Sequence, residues 1–273
     1  MRNSPPRKGV AQRLQDAAAR LAVAHQGRER FGPLPSPLAP RTAEDAYAIQ
    51  DEFVALLART RGAIAGYKIA LSSAEMQRFV GLDTPLAGVM LESTLHRTPA
   101  RVRAADYARL IVEFELAVQI AVDLPGADAP YTRDDVAAAI GAVMPALEIA
   151  DDRNADYTEL ARHPFDLIAD NCWNEGAVLG VPIERWREID LAVARGVATI
   201  NGRAVGEGVG AAALGHPLDA VAWVANHLAA HGRGLVFRDV VITGSIITSK
   251  FPRAGDLVEF SLENLGKVEL RVD

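Results

Sequence analysis

The segment that most limits how this chain can fold is residues 110–122, LIVEFELAVQIAV, an apolar run broken only by Glu113, Glu115 and Gln119. Its β-branched and aromatic content reads as a strand. Successive side chains of a strand alternate between faces, so Phe114, Leu116, Val118 and Ile120 share one side and Glu113, Glu115, Ala117 and Gln119 the other. The two carboxylates then project from one face about 6.5–7 Å apart. A strand this apolar belongs in the middle of a sheet, where an unpaired carboxylate carries a large desolvation cost. Either cations neutralise the pair or the face opens on solvent. A solvated face is the ordinary reading of Glu-x-Glu, but here no charged row continues along that face and no Lys or Arg lies between Leu110 and Gly126. A third acid, Glu148, sits near the end of another apolar run, MPALEIA. Three carboxylates with few nitrogens suit a hard cation such as Mg2+ or Mn2+, which keeps water or substrate oxygens in its open positions.

Around this segment the pattern is that of an α+β protein. Residues 9–30 predict a helix on the spacing of Val10, Leu14, Ala17, Leu21 and Val23, and four prolines make residues 31–41 an extended connector. Thr42 opens a second helix, with Asp45 three residues on and an apolar face at Ala46, Ile49, Phe53, Leu56 and Leu57. These helices form an N-terminal cap over residues 1–60, and residues 61–273 form the main domain. From Gly66 onward short strand-like runs succeed one another: GYKIAL, LIVEFELAVQIAV, AVMPALEIA, GAVLG, VATI, VVITGSIIT and LVEFSL. Asn201-Gly202 marks a hairpin, and helices interrupt twice, at Asp134 to Ile140 and Leu218 to His231. With no strand–helix alternation and no phosphate-binding glycine motif, a curled mixed sheet is expected instead of a doubly wound one.

At 273 residues the chain can bury a substantial core. A net charge of −6 with no basic–aromatic cluster argues against a nucleic-acid partner. One cysteine excludes an intrachain disulfide and an all-cysteine zinc site. Neither a signal-peptide core nor a membrane-length apolar span is present, so the chain reads as cytoplasmic and soluble.

The ordered run GYKIALSS, GLDTPLAG, VEFELAVQIAVDLP, MPALEIADDR, IADN, GHPLDAVAWVANHL and DVVITGS resembles the fumarylacetoacetate hydrolase superfamily. More narrowly, it is similar to the 2-keto-4-pentenoate hydratase and 4-oxalocrotonate decarboxylase branch. The likeness extends from about Ala46 to the C-terminus. It implies a β-roll core with an N-terminal helical cap, usually as a homo-oligomer, with a divalent ion on Glu113, Glu115 and Glu148. It also implies an active-site lysine at Lys68, followed by hydroxyls at Ser72 and Ser73. The ADN motif falls on Asp170 and Asn171, and the TG motif on Thr243 and Gly244.

The residues themselves leave several roles open. Lys68 lies in an apolar strand and needs a carboxylate partner, structural or substrate. Asp170 is a candidate general acid/base or a loop cap, and Asp83 a candidate catalytic acid or a turn residue. His216 reads as structural, and Cys172 lacks a matched histidine for nucleophilic work. Trp173 and Trp223 read as core. Two departures bear on substrate: Ile111 stands where many hydratases of this branch carry arginine, and the loop SIITSKFPRAGD lacks their ALGP-like sequence. Lys250 or Arg253 in that loop is either a solvated charge or a partner for a distal substrate carboxylate.

The implied chemistry is metal-assisted enolate formation from a small 2-keto acid. Addition of water to a 2-hydroxy-2,4-dienoate, as in meta-cleavage catabolism of aromatics, leads. A 4-oxalocrotonate-type decarboxylase comes second, then an acylpyruvate C–C hydrolase. A non-catalytic keto-acid-binding partner of a sister pathway enzyme is the rival from another class.

Overall fold

The computed structural model of the chain describes residues 7–273; residues 1–6 lie outside the described residues. Two helices lead, α1 (Arg7–Gln26) and α2 (Ala43–Arg61). The first stops short of residue 30, where Arg28 turns to φ 50°. The second starts as expected, the Thr42 hydroxyl accepting the Asp45 N–H. Then come β1 (Ile64–Ala70), α3 (Ala74–Val80), β2 (Leu86–Leu91), β3 (Leu95–Arg97), β4 (Ala100–Val102) and β5 (Leu110–Ile120). Next are α4 (Arg133–Ala139), β6 (Ile140–Asp151), α5 (Pro164–Ala169), β7 (Asn174–Leu179), β8 (Arg195–Ile200), β9 (Arg203–Val209) and α6 (Pro217–Ala230). The chain closes with β10 (Val240–Ile242), β11 (Ile247–Lys250), β12 (Leu257–Leu262) and β13 (Gly266–Val272).

The first sheet runs β2-β1-β10-β5-β6-β7-β3, with β11 also pairing β5, and the second runs β4-β13-β12-β8-β9. Both are mixed: β1 with β10, β3 with β7 and β13 with β4 are parallel, and the other pairs are antiparallel. This is the mixed-sheet α+β architecture that the strand pattern implied. β5 is central, as its apolarity required. Its even-numbered face packs into the main core, where Phe114 meets Phe260 edge-on at 5.7 Å between ring centroids.

Two expectations are corrected. The run VVITGSIIT is two strands, because Gly244 at φ 100° breaks it and turns its N–H away from the ladder. Helices α3 and α5 also interrupt the strands; at seven and six residues they are too short to show helical periodicity. Ser73 caps α3 and Pro164 begins α5.

The leading helices share a core with the strands and short helices of the first sheet. Ala17, Leu21, Ile49 and Phe53 pack with Leu86, Leu160, Leu167 and Ile168. Buried Gln50 donates to the Ala87 and Ile168 carbonyls at 3.0 and 2.8 Å. At the end of α1, His25 reaches Asp170 at 2.9 Å and Glu175 at 3.1 Å. Asp170 is also gripped by both terminal nitrogens of Arg153, at 2.9 and 2.6 Å, and Glu175 by Arg61 at 2.8 Å.

Burial of the His25 ring works against its charge, but Asp170 and Glu175 outweigh it and lift its pKa to about 9. A pKa raised on folding gives stability that is full below the unfolded value of 6.5 and is lost as pH rises through about 9. That interval corresponds to about 3 kcal/mol. Urea unfolding of the wild type between pH 6 and 9.5 is expected to weaken by this amount relative to His25→Gln; parallel pH profiles for the two proteins would refute the linkage.

Candidate active site

Antiparallel register builds the site. Glu113 on β5 lies directly opposite Glu148 on β6, and Glu115 is two residues along on the same face. One oxygen from each of the three carboxylates lies within 4.8 Å of the others. Glu115 and Glu148 are wholly buried, and Glu113 lines a cavity of about 390 Å³.

Each carboxylate is held on one side. Glu113 accepts from the Ser249 hydroxyl at 2.8 Å, and Glu115 from the Gly244 N–H at 2.7 Å. Glu148 accepts from the Asn174 amide at 2.9 Å and faces the Lys68 ammonium at 3.1 Å. The remaining oxygens, Oε1 of Glu115 and Oε2 of Glu148, are buried without a protein partner. A buried charged oxygen left unpaired costs at least about 1–3 kcal/mol, so this arrangement fits a cation that takes both. Burial and mutual repulsion push Glu115 well above the usual carboxylate range. Burial lifts Glu148 to about 7, with Lys68 and Asn174 pulling it back. Oxygen-only ligands of this kind are those of a hard divalent ion.

Lys68 occupies β1 between β2 and β10 and is 4% exposed. Its stem fits because Gly88 faces it across the ladder; a Cβ there would lie 2.9 Å from Lys68 Cγ. Burial opposes the charge, but Glu148 and Glu113 outweigh it and keep the side chain an ammonium. Gly244 is required for two reasons: its φ is +100°, and an added Cβ would meet Ser72 Oγ at 2.4 Å. Gly244→Ala is expected to cost about 1–3 kcal/mol and to weaken Mn2+ binding by displacing the N–H that holds Glu115. Thermal denaturation and a Mn2+ titration measure the two effects; wild-type affinity for Mn2+ would contradict the second.

The structure gathers Lys68, Ser72, Ser73 and Glu113 on the cavity wall, with Glu115 and Glu148 beneath. It places other candidates elsewhere. Asp170 is sealed by Arg153 and His25 away from the cavity, so it is a buried ion-pair partner in place of a free acid or base. Asn171 pins β2 through both its amide groups, accepting from the Val89 N–H at 2.7 Å and donating to the Val89 carbonyl at 2.9 Å. Asp83 is exposed in the turn before β2. Thr243 is buried with its hydroxyl on the Leu116 carbonyl, and it and Gly244 act behind Glu115 instead of lining the cavity. Lys250 turns its ammonium to the Thr248 carbonyl, and Arg253 is exposed; neither lines the cavity.

Asn174, Ser249 and Tyr157 had no signal in the sequence, and Trp173, read there as core, lines the cavity. Asn174 and Ser249 orient carboxylates across strands distant in the chain. Tyr157, Cys172 and Trp173 also face the cavity. Asn171, Cys172 and Trp173 form an unbroken left-handed turn, with φ of 53°, 51° and 62°, that brings the last two there. Burial pushes the Cys172 thiol up to about 12, so it stays protonated. His216 caps α6, its ring nitrogen accepting the Leu218 N–H.

Similarity to known proteins covers these elements along the chain. A model of the fumarylacetoacetate (FAA) hydrolase C-terminal family matches residues 62–273. The 2-oxo-hept-4-ene-1,7-dioate hydratase of Escherichia coli is 33% identical, over 93% of this chain and 96% of its own. The 2-hydroxyhexa-2,4-dienoate hydratase of Comamonas testosteroni is 30% identical, over 94% and 97%. Among solved structures, 4-oxalocrotonate decarboxylase from Pseudomonas putida G7, complexed with magnesium and adipate, superposes with a TM-score of 0.86 at 27% identity, covering 100% of both chains. With the buried carboxylate triad on the β5–β6 pair and a family match that runs from the start of the sheets to the last strand, the chain belongs to the fumarylacetoacetate hydrolase family.

Proposed function

We propose that the protein is a divalent-metal-dependent hydratase that adds water to a 2-hydroxy-2,4-dienoate. The observation that carries this reading is the convergence of three carboxylates, two with an unpartnered buried oxygen, beside a buried lysine that faces Glu148, in a cavity of small-molecule size. Mg2+ or Mn2+ held by Glu113, Glu115 and Glu148 supplies a Lewis acid for the negative charge that develops on the oxygen of a 2-oxo acid. Full-length similarity to two hydratases supports hydration over other fates of that charge.

The chain's own residues then have distinct tasks. The Ser72 and Ser73 hydroxyls bind the substrate carboxylate at the acid end of the cavity. The dienol loses its 2-hydroxyl proton and gains one at C5, giving the 2-oxo-3-ene. Water next adds across C3–C4, its oxygen to C4 and a proton to C3. Lys68 Nζ, protonated and on the wall, is the group assigned to hold and deliver a proton. Asp170 and Asn171 act as positioning residues, fixing the left-handed turn that carries Cys172 and Trp173.

The structural likeness to a decarboxylase keeps CO2 loss from 4-oxalocrotonate as the second reading. The test gives purified protein and Mg2+ either 2-hydroxypenta-2,4-dienoate or 4-oxalocrotonate, with an EDTA control. Loss of dienoate absorbance with formation of the hydroxy-keto acid, abolished by EDTA, is the expected result. Metal-dependent CO2 release with an inert dienoate would replace hydratase by decarboxylase.

A further inference from the structure

The cavity floor changes character along the β5–β6 pair. Glu113 and Glu148 form one cross-strand pair, and the next on the same face is Ile111 with Ala150. One step further, just past the strand ends, Arg109 meets Asp152, with Nε 2.6 Å from one carboxylate oxygen and a terminal nitrogen on the other. The floor therefore runs from acid to apolar, and behind its apolar end, outside the lining, the strand pair closes on this ion pair about 13 Å from Glu113, four residues of strand. Two hydroxyls lie at the acid end: Ser249 holds Glu113, and Ser72 abuts Gly244 beside Glu115. At the other end, the Tyr157 hydroxyl is spent on Asp152 at 2.7 Å.

The cations on the cavity wall and behind its apolar end are committed, and Lys250, off the lining, turns its ammonium to the Thr248 carbonyl. Lys68, the one cation on its wall among the described residues, faces Glu148. Arg109 is forked onto Asp152 and lies over the Tyr157 and Phe251 rings. A divalent ion and the Lys68 ammonium would together balance the three carboxylates, so one substrate carboxylate would meet a neutral acid end in place of a repelling one. A second carboxylate four or more carbons away would rest on Ile111 and Ala150 with no free donor of opposite charge, and would lose its hydration there.

We infer that the distal end of this cavity excludes a second carboxylate, so that the substrate is a monoacid whose far end is an uncharged apolar group resting on Ile111 and Ala150. The inference rests on the proposed 2-oxo acid chemistry and narrows it. Ile111 is then a specificity-determining residue, and Asp152 a positioning residue that silences Arg109.

The test compares two inert ligands of equal chain length, 2-oxohexanoate and 2-oxohexanedioate, binding to the Mn2+-loaded protein by calorimetry. The monoacid is expected to bind at least ~10-fold tighter. Equal affinity, or a preference for the diacid, would overturn the inference. Asp152→Asn leaves Arg109 without its counter-charge, and the diacid is expected to gain at least ~5-fold relative to the monoacid. An unchanged ratio in a folded variant would show that the clamp does not set specificity, against the inference. If neither ligand binds, the 2-oxo acid reading and the inference fall together. If the monoacid preference holds while the dienoate is not hydrated, the hydratase reading alone fails.

Discussion

Glu115→Gln is expected to raise the melting temperature of the metal-free protein and to abolish its response to Mg2+. The two effects have one origin. Glu115 is fully buried, has one oxygen without a partner and lies within reach of two other carboxylates. Without a cation, its charge is opposed by burial and by both neighbours. An amide removes that conflict and can still accept the Gly244 N–H, relieving about 1–3 kcal/mol. For a chain of this size that corresponds to roughly 2–4 °C per kcal/mol. With the metal the sign reverses. The wild type should gain about 2.7 kcal/mol at a Mg2+ concentration 100 times its Kd, and the variant nothing. Turnover is expected to fall at least ~100-fold. Differential scanning with and without Mg2+ separates the outcomes; a variant that keeps the Mg2+-dependent shift would remove Glu115 from the ligand set.

Lys68→Met is expected to have the opposite effect on the metal-free protein. It removes the one cation facing Glu148 and leaves that carboxylate with the Asn174 amide and two like-charged neighbours. Breaking a buried pair from one side costs about 3–5 kcal/mol, whereas removing both charges is far cheaper. The double variant Lys68→Met/Glu148→Gln should therefore recover most of the loss, giving a large coupling energy in the four-protein cycle. Turnover should fall by about 10²–10⁴ if Lys68 delivers the proton. Urea denaturation of the four metal-free proteins measures the coupling. If Lys68→Met proves as stable as the wild type, the ion pair is not what holds Glu148.

The parts of the site legible in the sequence were those set by local periodicity. Alternation along β5 put Glu113 and Glu115 on one face, and the apolar run before Glu148 marked β6 as a second buried strand. Pairing of Glu113 with Glu148 depends on register between residues 35 positions apart, which no local pattern encodes. Asp170 shows the same limit. Its short polar motif reads as a general acid/base or a loop cap, yet its partners are Arg153 and, 145 residues away, His25. Lys250 reads as a solvated charge or a partner for a distal carboxylate, and which of its contacts forms depends on the carbonyl of Thr248, two residues back in β11. For the helices, length was decisive: α6 at fourteen residues shows its stripe, and α3 and α5 do not.

The anchoring of α1 through His25 has a consequence for engineering. Exchanging residues 1–60 between relatives transfers the counter-charge of two carboxylates that remain behind in the recipient, Asp170 and Glu175. A chimera whose donor lacks a cation at this position leaves buried Asp170 and half-buried Glu175 with one arginine partner each, on either side of the turn that carries Cys172 and Trp173. Crossovers in this family should therefore be chosen by matching position 25 to positions 153, 170 and 175, and a library that splits the chain at the end of α2 without that constraint will be enriched in proteins with a misplaced cavity wall.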